Sequence, residues 1–276
     1  MSDFHEHAAR VAEQSRLAAE RLAAAPRLHE DEALSLLAQA ARLKPTDETL
    51  DIACGRGPVV AAFGRVARRA VGLDPRKGLR TQARKLARGK GLANVEFVGG
   101  DVDALPFADR SFDVVSSMFA FHHLRRPLHV FAEMVRVCRI GGRIVLCDCF
   151  APDDLVQAMA FQAMERHRDP STVKVLRVHD LLRLFETAGL PSPDQAFFRA
   201  PVEREALIAA SFPADGDREK LRQVINDSVE RDRFGLDARR EGHTVLLSYR
   251  SVILSSQLPD DGSVPPRWLH GRRRRG

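Results

Sequence analysis

The sequence predicts an α/β fold, a doubly wound and mostly parallel sheet with helices on both faces, and three observations carry that expectation. Short apolar runs alternate with helical segments from Thr49 onward. Runs such as "RIVLC", Arg143 to Cys147, are apolar on both sides of the strand alternation, as a strand covered on two faces must be. In "LDIACGRGPVV", Leu50 to Val60, a strand hands over to a helix through Gly55 and Gly57, two residues without a Cβ.

Taken in chain order, Glu6 to Ala24 and Asp31 to Leu43 are alanine-rich and amphipathic, separated by Pro26 and closed by Pro45, which predicts two helices before the sheet. Five strands are expected at Thr49–Cys54, Ala70–Leu73, Val95–Val98, Asp113–Met118 and Arg143–Cys149. Between them, Leu79, Ala83, Leu86 and Ala87 share one helix face, and so do Phe131, Met134, Val135 and Cys138, after Pro127 at a helix start. Beyond Phe150 come a helix over Leu155–Arg166, a helix His179–Ala188 stopped by Gly189 and Pro191, and a strand in "AFFRAPV". Helices near Glu203–Ser211 and Glu219–Arg233 precede a last long strand in "HTVLLSYRSVILSSQ".

No change in composition marks a second domain, so the expected organisation is a helical cap over 1–44, one main domain over 45–257, and a basic tail over 258–276. The tail has the Pro, Gly and charge of a disordered extension. It also explains the net charge of +6, because Arg272 to Arg275 supply four of it and the body is close to neutral. That balance disfavours nucleic acid as a partner. With 276 residues, 44% hydrophobic and 29% charged, the chain can bury a real core. Met1 to Ala25 lacks the apolar heart of a secretory signal and no window suits a membrane span, so a cytoplasmic location is expected. The four cysteines, Cys54, Cys138, Cys147 and Cys149, show no CxxC spacing and are expected as reduced thiols, with no metal site.

Gly55 and Gly57 stand where bare backbone can approach an anionic or nucleotide ligand at a helix entrance. The second strand ends in "VGLD", which puts Asp74 where a carboxylate can accept both hydroxyls of a ribose. The turn lacks the third glycine of the dinucleotide fingerprint, which leaves a nicotinamide-dependent oxidoreductase the weaker reading.

Four segments, "ETLDIACGRG", "VGLDP", "VEFVGGDVDALPFADRSFDVV" and "MVRVCRIGGRIVL", together resemble the class I S-adenosylmethionine-dependent methyltransferases, and within them the ubiquinone/menaquinone-biosynthesis methyltransferase-like group. The resemblance runs from about Ser15 to Gln257 and is densest from Thr49 to Asp148. "RDPSTVK", Arg168 to Lys174, resembles a segment of the family's small-molecule members. The resemblance implies a Rossmann-like, seven-stranded sheet whose last strand is antiparallel, and S-adenosyl-L-methionine as cofactor. It implies that Asp51, Ala53, Gly55 and Gly57 shape a loop around the methionine moiety, and that Asp74 holds the ribose. Asp101 would meet the adenine amino group with Val102 beside the ring, and Met118 would touch the cofactor from the end of strand four. Arg56 stands where many relatives carry Thr, Ala53 where many carry Gly, and Leu22 where a lid tyrosine is common.

Methyl transfer from a sulfonium needs placement and exclusion of water more than a protein nucleophile. A base helps when the acceptor carries a proton, and His122 and His123 in "MFAFHHL" lie just past strand four, at the sheet edge where α/β folds bind ligands. Asp148, His167, Arg168 and Asp169 are lining candidates for the substrate by the same edge argument, while His129 is expected on a helix surface. The Ala, Leu, Met and Phe content of the flanking helices suits an apolar or aromatic small-molecule acceptor. Two other classes stay open: a nucleic-acid methyltransferase, against which stands "SSMF" in place of an amino-methylation motif after strand four, and a cofactor-binding protein that does not methylate.

Overall fold

A computed structural model describes residues 30–213 and 217–260. The expected helix Glu6–Ala24, the lid position Leu22 and the arginine run all lie outside these residues.

The first described helix, α1 (Glu30–Ala41), leads into β1 (Glu48–Ile52), α2 (Pro58–Phe63), β2 (Arg69–Leu73), α3 (Lys77–Gly89), β3 (Val95–Val98) and β4 (Phe112–Met118). A 3-10 turn at Phe121–His123 precedes α4 (Pro127–Val137) and β5 (Cys138–Cys149). Then follow α5 (Leu155–Arg168), α6 (Val178–Thr187), β6 (Asp194–Glu203), α7 (Arg204–Ala209), α8 (Arg218–Asn226), β7 (Arg239–Glu241) and β8 (Thr244–Gln257). The sheet order is β3-β2-β1-β4-β5-β8-β6, with β7 paired to β8. Strands β1 to β5 pair in parallel, while β8 runs antiparallel to both β5 and β6. The expected mostly parallel sheet with an antiparallel last strand is therefore observed.

Period-two alternation decides which face each side chain enters. Ile144 and Leu146 of β5 join α4 and α6 in one core, through Phe131, Met134, Leu184 and Phe185. Their neighbours Val145 and Cys147 point the other way, into a second core with Leu37 of α1, Phe63 of α2 and Ala83 of α3. Helix α1 thus covers a face of the sheet, and its Ala40 carbonyl accepts the Ser255 hydroxyl of β8 at 3.0 Å. A third core lies beyond these, where Phe161 and Met164 of α5, Leu207 of α7 and Leu221 of α8 pack on Val245 and Leu247, in the first half of β8.

Besides shifts of element ends, three differences from expectation stand out. Cys138, placed by its spacing on a helix face, is the first residue of β5 and pairs with Phe112. The helix expected to reach Arg233 stops at Asn226. The three residues of β7 are all exposed, so no apolar alternation announced that strand.

Candidate active site

The sheet order turns back between β1 and β4, and beside that point the carboxyl ends of the strands enclose a cleft of about 770 Å³. This is the crevice position in which open α/β sheets take ligands. Of the residues singled out in the sequence, Asp51, Ala53, Gly55, Arg56, Asp101, Val102, Met118 and His123 line it.

The turn after β1 holds three residues at positive φ, Ala53 at 51°, Gly55 at 56° and Gly57 at 76°. The glycines serve different ends. A Cβ on Gly55 would meet nothing within 4 Å, whereas one on Gly57 would lie 2.7 Å from Phe97 Cε1 and 3.0 Å from the Ala83 methyl. Gly57 is bare because Phe97 and Ala83 pack on it, and it is not among the residues that line the cleft.

Asp51 is buried on β1 and still lines the cleft. Across the β1–β4 pairing it stands opposite Ser116, whose hydroxyl donates to Oδ1 at 2.8 Å. Burial pushes the Asp51 carboxyl up to about 8, against the pull of the Ser116 hydrogen bond and with a further push from Asp74.

Asp74 ends β2 where a ribose acceptor was expected, but it is fully buried and absent from the cleft wall. The Gly55 N–H donates to its Oδ2 at 2.9 Å, so it pins the glycine turn. Arg76 supplies the rest: its N–H and Nε reach Oδ1 at 2.9 and 2.8 Å, and Nη2 reaches Oδ2 at 2.6 Å. Arg76 lines the cleft in its place. At the other wall Asp101 is exposed and takes the Asp103 N–H on Oδ1 at 2.9 Å. Val102 beside it is half-buried against the first core.

The paired histidines divide. His122 is buried behind the cleft, its Nδ1 2.7 Å from Asp148 Oδ1 and its backbone N–H on Oδ2 at 3.2 Å. Burial works against an imidazolium there, but the Asp148 carboxylate overrides it and holds His122 well above its usual range. Asp148 is buried too, which alone would raise it, and is held low by His122. His123 lines the cleft, with its ring 4.1 Å from that of His122. Burial, and then the charge of His122, push His123 down to about 4. Its Nδ1 lies 3.0 Å from Ser171 Oγ, which donates to Asp169 Oδ1 at 2.6 Å.

None of the four expected substrate residues lines the cleft. Asp148 is taken by His122, and Asp169 acts at one remove through Ser171. Arg168 forks onto Glu165 at 3.0 and 2.7 Å, where the Tyr249 hydroxyl also donates, and His167 is half-buried away from the cleft. His129 is exposed on α4, as expected. The Nδ1, Oδ1 and Sγ atoms of His122, Asp148 and Cys149 gather within 4.8 Å, but the 2.7 Å between Nδ1 and Oδ1 is a hydrogen-bond distance. Two ligands about 2.0 Å from a tetrahedral ion stand about 3.3 Å apart.

Sequence reading missed Ser116, Arg76 and Ser171. Ser116 has no signal before register is known. Ser171 had one, since Asp-Pro-Ser is a turn pattern in which an Asp side chain bonds two residues on, as Asp169 does to the Ser171 N–H at 2.9 Å.

Residues 50–146 match a family model described as a methyltransferase domain. Over 227 residues the chain is 28% identical to the Bacillus subtilis (strain 168) protein named uncharacterized methyltransferase YcgJ, covering 82% of this chain and 90% of that protein. The crystal structure of YcgJ superimposes with a TM-score of 0.75 at 25% identity, over 83% of this chain and 99% of that one. The demethylmenaquinone methyltransferase of Clavibacter sepedonicus is 34% identical over 131 residues, 47% of this chain and 52% of its own length. The [4+2]-cyclase SpnF shares the fold at a TM-score of 0.57 and 18% identity, with 83% of this chain and 81% of that one covered.

Proposed function

From the premise that this chain carries a methyltransferase domain over residues 50–146, we propose that it transfers a methyl group from S-adenosyl-L-methionine to a small, apolar or aromatic molecule. The observation that carries the reading is the cleft at the switch point, where buried Asp51 faces the space above the open Gly55 turn. An ammonium group supplies the cation that Asp51 lacks, and a cleft of about 770 Å³ has room for an adenosyl ligand together with an acceptor. The residues present therefore fit this cofactor.

When bound, the cofactor supplies a methyl carbon activated by a positively charged sulfur. The chain's own work is placement. Asp51 and the Gly55 turn receive the amino-acid end, with Arg56 beside them. Asp101 and Val102 flank the base, and Met118 closes the floor at the end of β4. Asp74 serves the ribose by fixing the turn through Gly55, and directly where Arg76 yields an oxygen to a hydroxyl. His123 is the titratable imidazole on the cleft wall and takes the role of base for the acceptor, while His122 is bound to Asp148 behind it.

Calorimetric titration of the full chain with S-adenosyl-L-homocysteine and with NAD tests the cofactor. Binding of the first and not the second is expected, and the reverse overturns the reading. Radiolabelled S-adenosyl-L-methionine tests the acceptor class: label should enter an organic extract of small metabolites, and label found only in RNA or DNA would refute the small-molecule assignment.

A further inference from the structure

We propose that Ser171 and Asp169 hold His123 as its Nδ1–H tautomer and so present a bare Nε2 to the hydrogen of a hydroxyl or amine acceptor in the cleft. The inference rests on the methyl-transfer reading above and adds the acceptor class to it.

The argument is one of hydrogen counting. Asp169 Oδ1 receives the Ser171 N–H at 2.9 Å and the Ser171 hydroxyl at 2.6 Å. A serine hydroxyl has a single hydrogen, and this one is given to the carboxylate. Toward the imidazole, 3.0 Å away, Oγ can then only accept, so His123 Nδ1 must carry the hydrogen. A neutral imidazole has one N–H, which leaves the lone pair on Nε2 of a ring that lines the cleft.

The surrounding groups keep that state. The Thr172 N–H closes the turn on the Asp169 carbonyl at 2.9 Å, and the Val173 and Lys174 N–H groups both bond the His122 carbonyl, at 2.9 and 3.1 Å. The loop after α5 is thereby fastened to the residue next to His123. On the facing elements stand the His122 imidazole on its own turn, Asp148 and Cys149 at the end of β5, Glu165 and Arg168 on α5, and Asp169 on the loop. The His122 charge, 4.1 Å away between ring centres, opposes a second proton on His123. The ring stays neutral at pH 7.

In the step this serves, the acceptor heteroatom directs its lone pair to the methyl carbon, and the carbon–sulfur pair returns to sulfur. The heteroatom becomes positively charged, passes its proton to Nε2, and the imidazolium later releases it to water. Since the developing charge makes that proton strongly acidic, a weak base that is always unprotonated suffices. A carbon acceptor without a neighbouring hydroxyl or amine has no such hydrogen bond to offer. Ser171 and Asp169 are positioning residues, and His123 is the group that meets the acceptor.

Nitrogen-15 NMR of the imidazoles in the full chain at pH 7, assigned with His123→Gln, reads the tautomer without any cofactor. The expected result is one neutral Nδ1–H form for His123, lost to a mixture in Ser171→Ala and retained in Ser171→Thr. Affinity for S-adenosyl-L-homocysteine should stay within about twofold in both variants. With that ligand present, phenol should shift the Nε2 resonance while anisole, which has no hydroxyl, should not. An Nε2–H or doubly protonated ring, an unchanged tautomer in Ser171→Ala, no shift with phenol, or equal shifts with both probes overturns the proposal. If Ser171→Ala does not fold, the wild-type tautomer and the phenol–anisole pair decide. Failure of S-adenosyl-L-homocysteine to bind the wild type would remove the cofactor reading instead, and the tautomer measurement separates the two.

Discussion

Ser116 of β4 stands directly across from Asp51 of β1, and its hydroxyl donates to the Asp51 carboxyl at 2.8 Å from within the sheet. The pair joins the two strands at which the sheet order reverses, so the acid that faces the cleft is held by the strand whose end, at Met118, also lines the cleft.

Asp51 should make the free protein less stable as pH rises. Its folded value, about 8, lies above the unfolded 3.8, so the native state binds more protons between those limits and stability falls across that window. Asp51→Asn should flatten this dependence and raise stability at pH 8 to 9 by about 1–3 kcal/mol, read by urea unfolding at several pH values. A stability curve of the same slope in wild type and variant would show that Asp51 does not carry the shift.

Cofactor affinity should move the other way. A cationic ligand needs ionised Asp51, so binding of S-adenosyl-L-homocysteine should strengthen from pH 6 to pH 8 by up to about tenfold per unit, with proton release on binding. Calorimetry in buffers of different ionisation enthalpy measures the released proton, and its absence would separate Asp51 from the ligand.

The two glycines of the turn should separate stability from binding. Gly57→Ala strains a residue at φ 76° and drives a methyl into Phe97, which should lower stability by about 2–3 kcal/mol. Gly55→Ala meets open space and should lower stability by only about 1 kcal/mol, while weakening S-adenosyl-L-homocysteine more than Gly57→Ala does. Thermal unfolding and titration of both variants check the contrast.

Asp74→Ala should injure both properties. It leaves the Gly55 N–H and the Arg76 guanidinium without their acceptor, and a loss of about 2 kcal/mol or more in cofactor affinity is expected, accompanied by a lower midpoint of unfolding. Unchanged affinity in a folded variant would deny Asp74 any part in the ribose site.

The His122–Asp148 pair should support the fold over a defined pH range. His122 is raised above 6.5, so its contribution is complete below that pH and fades as pH rises through its folded value; Asp148 is lowered below 3.8, so its contribution fades as pH falls through that one. The stability difference between wild type and Asp148→Asn should therefore be largest from about pH 4 to 6.5 and shrink on either side. Chemical unfolding across pH 3 to 10 gives the profile, and a pH-independent difference would remove the charge pairing from the account.

The alternation of apolar runs and amphipathic helices was enough to read the layers and most strand limits, because burial on both faces of a parallel sheet leaves its mark in local composition. β7 escaped since its Arg239, Arg240 and Glu241 are exposed and bury nothing. Cys138 was misplaced because an apolar residue suits the last turn of α4 as well as the first position of β5. Among the cleft-lining residues, Gly55 and Asp101 were legible from their place after a strand, and Asp51 from its place as a carboxylate inside an apolar one. Asp148, His167, Arg168 and Asp169 share the same edge in the chain yet stand off the cleft; Asp148 is taken by His122, Arg168 by Glu165 and Asp169 by Ser171.

What the sequence determined by itself is the alternation of strands and helices and the glycine turn after the first strand, since these follow from local periodicity and from glycines placed after a strand. The tertiary structure alone decided which distant groups face one another: Ser116 on Asp51, and Ser171 with Asp169 behind His123 rather than His122. Strand register and the path of the loop after α5 set those partners, and both arise from packing between segments far apart in the chain, which no local pattern encodes.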